Sequence, residues 1–330
     1  MSYSQLTSEQ RYYISQLIGK QSISQIAKDI GCHKSTVSRE IRRNSINQNY
    51  HFKQAQQLYQ SRRCRQQPTK LTPERIRYID ELIKQKLSPE QVCAYLAKHH
   101  RIRLHHSTLY RHIHRDTQNG GTLFTHLRIC SKPYRKKYGG KNWSKGKVPN
   151  RVGIEERPAI VDSKERIGDW EVDTIVGKDQ KSALVVATER KTKLTLIRKV
   201  SNFKAENTAQ MVIAMLRKYK KWVHTLTMDN GKEFYRHTLI AKALNAATYF
   251  CHPYHSWEKG LVENTNGLIR QYFPKGTDFR VITDDEIRAV ETALNRRPRK
   301  SLNYETPESL FFGRFTPLIS GVALDMRMYS

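Results

Sequence analysis

Residues 170–200, WEVDTIVGKDQKSALVVATERKTKLTLIRKV, decide the fold of the C-terminal half of this chain. Three runs rich in β-branched and aliphatic residues occupy 170–176, 183–188 and 194–200. The polar breaks Gly177-Lys178-Asp179 and Arg190-Lys191-Thr192 separate them. Short apolar runs between turn residues predict strands, and their close spacing predicts an antiparallel meander of three.

The chain beyond the meander alternates between helical and strand patterns. Apolar spacing predicts helices over 205–221, 237–244, 256–272 and 284–296, and strands over 224–228 and 247–251. This order predicts an α/β fold in which a mixed sheet is flanked by helices.

The charge of the chain is strongly positive and unevenly distributed. Of 330 residues, 59 are Lys or Arg and 30 are Asp or Glu, a formal net charge of +29. Residues 1–150 hold 29 basic and 8 acidic side chains, whereas residues 151–330 hold 30 and 22. We therefore expect a nucleic-acid-binding N-terminal half and a more ordinary globular C-terminal half. The absence of a long apolar run or a secretion signal, together with five scattered cysteines, predicts a cytoplasmic protein without a membrane partner.

The first 60 residues show the pattern of a helix-turn-helix. Thr7–Gln10 and Ser22–Gln25 are capping boxes, Gly31 ends the second helix, and a third helix is predicted over 35–43. A purely structural three-helix unit is the alternative. Hydroxyl and guanidinium groups read base edges and bind phosphates. The candidate DNA contacts on the third helix are Lys34, Ser35, Thr36, Ser38, Arg39, Arg42 and Arg43.

A second helical unit is predicted over 71–115, where Pro73, Ser88 and Ser107 stand at helix starts. Arg111 is its candidate DNA contact, and a structural or dimer-forming unit is the alternative. Four histidines in this segment lack a cysteine or acid at ligand spacing, so no metal site is expected. The predicted domains are helix-turn-helix 1–60, helical 61–130, basic linker 131–160 and catalytic 161–330.

Three acidic residues, distant in sequence, are candidates for one catalytic site. Asp173 lies in the first strand, Asp229 ends the fourth, and Glu263 is on a late helix. Asp169 and Glu171 share a strand face with Asp173, so the pattern alone leaves the first acid ambiguous. Converging carboxylates would hold two Mg²⁺ ions, roughly 4 Å apart, for phosphoryl transfer. The alternative is an ordinary turn at Asp229 and a solvated helix face at Glu263.

Four segments resemble the DDE transposases of bacterial insertion sequences, in particular the group named after insertion sequence thirty. They are GDWEVDTI at 168–175, TMDNGKEF at 227–234, PYHSWEKG at 253–260 and ENTNGLIRQYFP at 263–274. Val172 and Lys259 stand where the family leads us to expect Gly and Arg, but neither is a ligand position.

The resemblance implies a ribonuclease-H-like core in which Asp173, Asp229 and Glu263 are both catalytic and metal-binding. It implies two Mg²⁺ ions, for which Mn²⁺ can substitute, a DNA contact at Arg270 and an auxiliary role for His237. The implied partners are double-stranded DNA, both terminal inverted repeats and target, and further copies of the chain in a dimer or higher oligomer. The implied place of action is the bacterial nucleoid. A non-catalytic DNA-binding regulator and a nuclease without strand transfer are the alternatives.

Overall fold

The computed structural model describes residues 5–64, 71–128, 148–200, 202–253 and 255–319. The chain divides into two compact units, Met1–Thr72 and Pro73–Ser330. No helix in the described ranges is both long and apolar enough to cross a membrane.

The first unit is all-helical. Its helices are α1 (Ser8–Leu17), α2 (Ile23–Asp29), α3 (Lys34–Asn44) and α4 (Phe52–Cys64). The predicted capping box at Thr7 is present, and Ser22 caps α2 by accepting from the Gln25 amide. The third helix starts one residue earlier than predicted, because the His33 ring accepts from the Ser35 amide and takes the capping position.

Three further helices open the second unit: α5 (Pro73–Lys84), α6 (Pro89–His100) and α7 (His106–Gln118). The Ser88 capping box is present, but the cap of α7 is His105 and not the predicted Ser107. These helices dock on the C-terminal part of the chain. Lys86 Nζ donates to the Gln271 carbonyl at 2.8 Å, and Gln91 Nε2 donates to the Pro298 carbonyl at 2.7 Å.

The rest of the second unit is an α/β layer structure. Its strands are β1 (Asp169–Val176), β2 (Ala183–Glu189), β3 (Thr195–Val200), β4 (Thr225–Met228) and β5 (Ala247–Phe250). Its helices are α8 (Ala159–Ser163), α9 (Ala205–Arg217), α10 (His237–Leu244), α11 (Gly260–Ile269), α12 (Asp284–Asn295) and α13 (Pro307–Phe312).

The five strands form one mixed sheet in the order β3-β2-β1-β4-β5. The predicted meander is confirmed, since β1 pairs antiparallel with β2 and β2 with β3. The strands β4 and β5 run parallel to β1, which places the end of β4 beside the middle of β1. Residues 148–160 of the predicted linker contact the sheet, because the Phe250 amide of β5 donates to the Val152 carbonyl at 2.9 Å.

Helices cover both faces of the sheet. Trp170 and Val172 of β1 belong to a buried cluster with α9 and α10. Ile175 belongs to another with α11 and α12. Because side chains alternate along a strand, Asp169, Glu171 and Asp173 face the α11 side. The face that carries the ambiguous acids is therefore the one next to the helix that carries Glu263.

Gly168, immediately before β1, is a position where the backbone requires glycine. Its φ is +119°, and a Cβ there would lie 2.6 Å from His224 Cδ2 and 3.1 Å from the Trp222 carbonyl carbon. We expect Gly168→Ala to lower the free energy of unfolding by about 3 kcal/mol, through backbone strain and a clash with a neighbouring chain segment.

Gly276→Ala is the matched control, because Gly276 also has a positive φ, +87°, but no atom within 4 Å of an added Cβ. It should cost only about 1 kcal/mol. Urea unfolding of both variants measures the difference in the free energy of unfolding. Equal losses in the two variants would show that the contact of the added Cβ with His224 and Trp222 has no energetic cost.

Candidate active site

The three acids on the α11 face of β1 have different surroundings. Asp169 is buried, accepts two hydrogen bonds of 2.9 Å from Arg166 and one of 2.7 Å from Thr225 Oγ1. Glu171 is also buried, and it accepts from Arg190 Nη1 at 2.9 Å and from the Val262 amide at 3.0 Å. Both are therefore satisfied by the fold, and Glu171 fixes the first turn of α11 against the sheet.

Asp173 is half-buried and contacts two residues of the loop and helix around α11. Lys259 Nζ donates to its Oδ1 at 3.1 Å, and Asn266 Nδ2 donates to its Oδ2 at 2.8 Å. Lys259 is only 4% exposed. Burial acts to lower the pKa of Lys259, but the charges of Asp173 and Asp229 outweigh it and raise that pKa. A buried ammonium group thus compensates two of the three candidate acids at once.

Asp229 follows β4, and its Oδ1 accepts from the Gly231 amide at 3.1 Å. Glu233 folds back over Gly231, where an added Cβ would lie 2.2 Å from Glu233 Oε2. Thr174 Oγ1 donates to Glu233 Oε1 at 3.0 Å. Burial, with the charges of Asp229 and Asp173, raises the pKa of Glu233. The turn predicted at Asp229 therefore also places a further acid near the candidate pair.

Glu263 is exposed on α11. It lies three residues before Asn266, so the two residues share a face of α11. Since Asn266 bonds Asp173, Glu263 is on the face of α11 that is next to this acid. The carboxylate oxygens of Asp173, Asp229 and Glu263 are nevertheless not all within 4.8 Å of one another.

A different group meets the distance requirement for metal binding. Within the described ranges, the set of three acidic, His or Cys side chains with all ligand atoms within 4.8 Å of one another is His252, His255 and Glu258. Glu258 accepts from the His252 amide and from His252 Nδ1, both at 2.8 Å, and from His255 Nδ1 at 3.3 Å. These contacts brace the loop that leads into α11.

The surroundings of Asp173 and Asp229 suit a hard divalent cation. They already hold one cation, the Lys259 ammonium, which lies 3.1 Å from Asp173 Oδ1 and whose charge also acts on Asp229. In addition, Asn266 Oδ1 is buried, and no donor in the described part of the chain reaches it. An oxygen acceptor of this kind could accept a hydrogen bond from a water molecule coordinated to Mg²⁺. Asp173 and Asp229 therefore fit a metal site, to which Glu263 would add a third carboxylate.

The predicted DNA contacts of α3 lie in the first unit. Lys34, Ser38, Arg42 and Arg43 are exposed, and Ser35 and Thr36 are half-buried. Arg39 is exposed but folds back, donating from Nη2 to Ser35 Oγ at 2.9 Å. A cavity of about 700 Å³ lies beside this helix and is lined in part by Thr36, Arg39 and Arg43. Basic groups thus surround a concave surface.

Arg111, Arg270 and His237 have contrasting surroundings. Arg111 is exposed on α7. The Arg270 guanidinium donates to the carbonyls of Val176 at 3.0 Å and Pro274 at 3.1 Å, so it holds the end of β1 to the turn after α11. DNA contact by Arg111 or Arg270 stays a prediction. His237 is a buried core residue whose ring contacts Thr248 Oγ1 and the Pro149 carbonyl, each at 2.9 Å.

Comparison with known proteins gives a consistent result along the chain. Residues 2–44 match the model of a helix-turn-helix domain, and residues 164–256 match that of the integrase core domain. The transposase for insertion sequence element IS4351 of Bacteroides fragilis is 45% identical, over 93% of this chain and 95% of the relative. This chain belongs to the DDE transposases of bacterial insertion sequences. The family is that of enzymes that cleave and join DNA.

Two other similar proteins are a second transposase and an integrase. Transposase InsI for insertion sequence element IS30C of Escherichia coli strain K12 is 30% identical, over 89% of this chain and 79% of the relative. The catalytic core domain of BIV integrase is 19% identical, with a TM-score of 0.35, and the match covers 44% of this chain and 93% of that structure. The matches to the helix-turn-helix and integrase core models, together with the mixed sheet, confirm the predicted fold: an N-terminal helical region followed by a ribonuclease-H-like core.

The groups that surround the candidate acids of the transposase are not predicted from its sequence. Lys259 stands out there only as a departure from the family pattern, and no sequence pattern singles out Asn266 or Glu233. What the sequence offers for Asn266 is its position three residues after Glu263, since residues at i and i+3 share a helix face.

Proposed function

We propose that this transposase binds the terminal inverted repeats of an insertion sequence and catalyses metal-dependent cleavage and strand transfer of their ends. Asp173, Asp229 and Glu263 act as the catalytic acids and metal ligands. The observation that carries the proposal is the arrangement at Asp173. Its carboxylate and that of Asp229 share the compensating charge of Lys259, and Asn266, which donates to Asp173, shares a face of α11 with Glu263.

Two Mg²⁺ ions, or Mn²⁺ in their place, would be held by these three carboxylates. When bound, the ions would supply activation of the attacking water or 3′-hydroxyl and compensation of the charge on the leaving oxygen. The protein itself orients the acids: Asn266 fixes one oxygen of Asp173, and the Gly231 amide fixes one oxygen of Asp229. Glu171 anchors the start of α11 and so keeps Glu263 on the same side of the sheet.

The partners proposed are the element ends, the target DNA and further copies of the transposase. Joining two ends requires that both be held together, which favours a dimer or higher oligomer in the synaptic complex. These DNA substrates place the activity at the bacterial nucleoid. The exposed basic groups of α3 support end binding by the first unit, and the cationic α5–α7 segment is proposed as a second DNA-binding region.

Product analysis tests this function against its two alternatives. The full chain is footprinted on the element ends and is then incubated with the protected duplex and a target plasmid, with Mg²⁺ and with EDTA. A transposase gives Mg²⁺-dependent nicks at the ends and joined molecules. A regulator gives a footprint without nicks, and a nuclease gives nicks without joined molecules, so either outcome contradicts the proposal.

Arg42→Ala should weaken binding to the element ends and make the slope of log affinity against log salt shallower by about 1. The reason is that each phosphate contact releases roughly one counterion. Arg42 is exposed on α3. Fluorescence anisotropy across a salt series measures the slope. Arg288→Ala, at an exposed cation of α12 paired with Asp285, is the control and should leave it unchanged. A slope equal to the wild type in Arg42→Ala would exclude a phosphate contact there.

A further inference from the structure

Two buried arginines, Arg297 and Arg299, follow α12 and have no acidic partner in the described part of the chain. Arg297 is 3% exposed and Arg299 is 9% exposed. The partners of Arg297 are neutral: its Nε donates to Gln91 Oε1 at 3.0 Å, and its Nη1 donates to Gln271 Oε1 at 2.8 Å. Arg299 Nη2 donates to the Leu294 carbonyl at 3.1 Å, and its buried Nε meets no acceptor among the described residues. Burying a charge without an opposite charge is unfavourable, and a guanidinium group does not escape this cost by losing its proton.

These two cations also repel each other and a third arginine. Burial, together with the charges of Arg297 and Arg128, lowers the pKa of Arg299 to about 9. Burial and the charge of Arg128 lower the pKa of Arg297 as well. The nearby Tyr272 supplies no negative charge, because burial raises the pKa of its hydroxyl group. We call Arg128, Arg297 and Arg299 the arginine triad.

Arg128 is the exposed member of the arginine triad, and it lies against α11. Its Nη1 donates to Asn264 Oδ1 at 3.3 Å, and its Nη2 is 2.8 Å from the position of an added Cβ at Gly267. Gly267 is four residues after Glu263, which corresponds to about 6 Å along the helix axis. The exposed end of the arginine triad is therefore about one helical turn from a candidate catalytic acid.

We propose that the arginine triad holds one backbone phosphate of the element end, one or two nucleotides from the bond being cut. Arg128 contacts the phosphate directly, and the two buried arginines add positive charge that salt screens little. Successive nucleotides of one strand are about 3.4 Å apart along the axis of a duplex, so an offset of about 6 Å corresponds to one or two nucleotides. The inference rests on the proposed function, because Glu263 marks where the cut is made.

A phosphate supplies what the arginine triad lacks. It brings a negative charge to three cations that otherwise repel one another, and its oxygens match the fork of N–H donors on a guanidinium group. It would also join two parts of the chain, since Arg128 follows α7 whereas Arg297 and Arg299 follow α12. Binding of the element end should therefore strengthen the docking of α5–α7 on the C-terminal part of the chain.

A coupling measurement between protein and DNA tests the phosphate contact without requiring catalysis. End duplexes identified by footprinting carry one uncharged methylphosphonate, placed in turn at each nucleotide around the element terminus. Anisotropy measures their binding to the full-length Asp229→Asn chain. Neutralising one phosphate, within two nucleotides of the proposed cut, should weaken binding about 10-fold. With Arg128→Gln added, the same neutralisation should weaken binding less than about 3-fold, because the contact is already lost.

Three further variants separate a phosphate contact from a structural role. Arg128→Lys keeps the charge and should keep most of the sensitivity to that methylphosphonate. Arg288→Gln, at an exposed arginine of α12 that pairs with Asp285, is the control and should keep all of it. Arg299→Met should reduce the sensitivity, and without DNA its Tm should not fall below that of the wild type, because a repelling charge is removed. A lower Tm together with full sensitivity would overturn the role of Arg299 in phosphate binding.

Inorganic phosphate, added to the chain alone at constant ionic strength, distinguishes a DNA phosphate from a free one. We expect it to raise the Tm of the wild type more than that of Arg128→Gln, alongside the coupling seen with DNA. If the Tm values differ but no methylphosphonate position is coupled to Arg128, the site takes a free anion and the proposal is overturned. Absence of both effects overturns it equally.

The outcomes separate this inference from the proposed function. Mg²⁺-dependent cleavage and joining without a coupled phosphate would leave the proposed function intact and refute the arginine triad as a DNA contact. A coupled phosphate at the element terminus, in a chain that neither cuts nor joins DNA, would refute the proposed function and leave the phosphate contact standing.

Discussion

Asp229→Asn is expected to reduce Mg²⁺-dependent cleavage of the element ends by about 10³-fold or more while leaving DNA affinity unchanged. The substitution removes a negative charge from the candidate metal site but keeps an oxygen that can accept from the Gly231 amide, as Asp229 Oδ1 does at 3.1 Å. The turn after β4 is thereby preserved. Gel analysis of labelled end duplexes measures cleavage, and anisotropy on the same duplexes measures binding.

The control for Asp229→Asn is Asp285→Asn, at an exposed acid in the first turn of α12. It removes the same charge from the same unit and should leave cleavage at the wild-type rate. Glu263→Gln should behave like Asp229→Asn, and because Glu263 is exposed its thermal unfolding should not change. Persistent Mg²⁺-dependent cleavage by Asp229→Asn would remove the basis of the proposed catalytic triad.

The sheet is the part of the fold that the sequence predicts well. Its first three strands are continuous apolar runs between polar turns, and such a signal is local. The start of α11 could not be predicted in the same way. The apolar pattern predicts a helix from residue 256, but a 3₁₀ turn occupies Ser256–Lys259 and α11 starts at Gly260. The His252 amide and ring donate to the Glu258 carboxylate and hold this tighter turn, and a periodicity in the sequence does not encode such contacts.

The docking of α5–α7 on the C-terminal part of the chain is a second feature that local sequence patterns do not predict. Their caps are readable in the sequence, but the contacts of Lys86 with Gln271 and of Gln91 with Pro298 join residues about 200 positions apart. These contacts bring the end of the helical segment to α11. An added Cβ at Gly267 would lie 2.8 Å from Arg128 Nη2. Arg128 therefore lies directly against the backbone of α11 at Gly267.

Sequence pattern alone does not identify which acid of β1 is the catalytic candidate. Asp169, Glu171 and Asp173 share a face, and strand periodicity cannot rank them. The structure distinguishes them by their partners. Arg166 and Arg190 compensate the first two, whereas Asp173 faces a lysine that also compensates Asp229. Such compensation depends on residues from other strands and helices, so it becomes visible only in three dimensions.

Lys259→Met is the second variant for which we expect a large effect. Lys259 is buried and contacts Asp173 Oδ1 at 3.1 Å, and its charge also faces Asp229. Methionine fills a similar volume without charge and leaves the two carboxylates to repel each other. Removing one partner of a buried ion pair typically costs 3–5 kcal/mol. In EDTA we therefore expect the free energy of unfolding to fall by about 3 kcal/mol.

Mg²⁺ should raise the Tm of Lys259→Met by more than that of the wild type, because in the wild type the ammonium group competes with the ion for the same carboxylates. Differential scanning fluorimetry over a Mg²⁺ series measures this. Lys275→Met, at an exposed lysine, is the control and should respond as the wild type does. Adding Asp229→Asn to Lys259→Met should recover much of the lost stability, since it removes one of the negative charges that repel Asp173. Two results would contradict this prediction together: an equal rise in Tm with Mg²⁺ for the wild type, Lys259→Met and Lys275→Met, and no recovery of stability in the double variant. Lys259 would then not compensate Asp173 and Asp229, and the electrostatic argument for a metal site at these acids would fail.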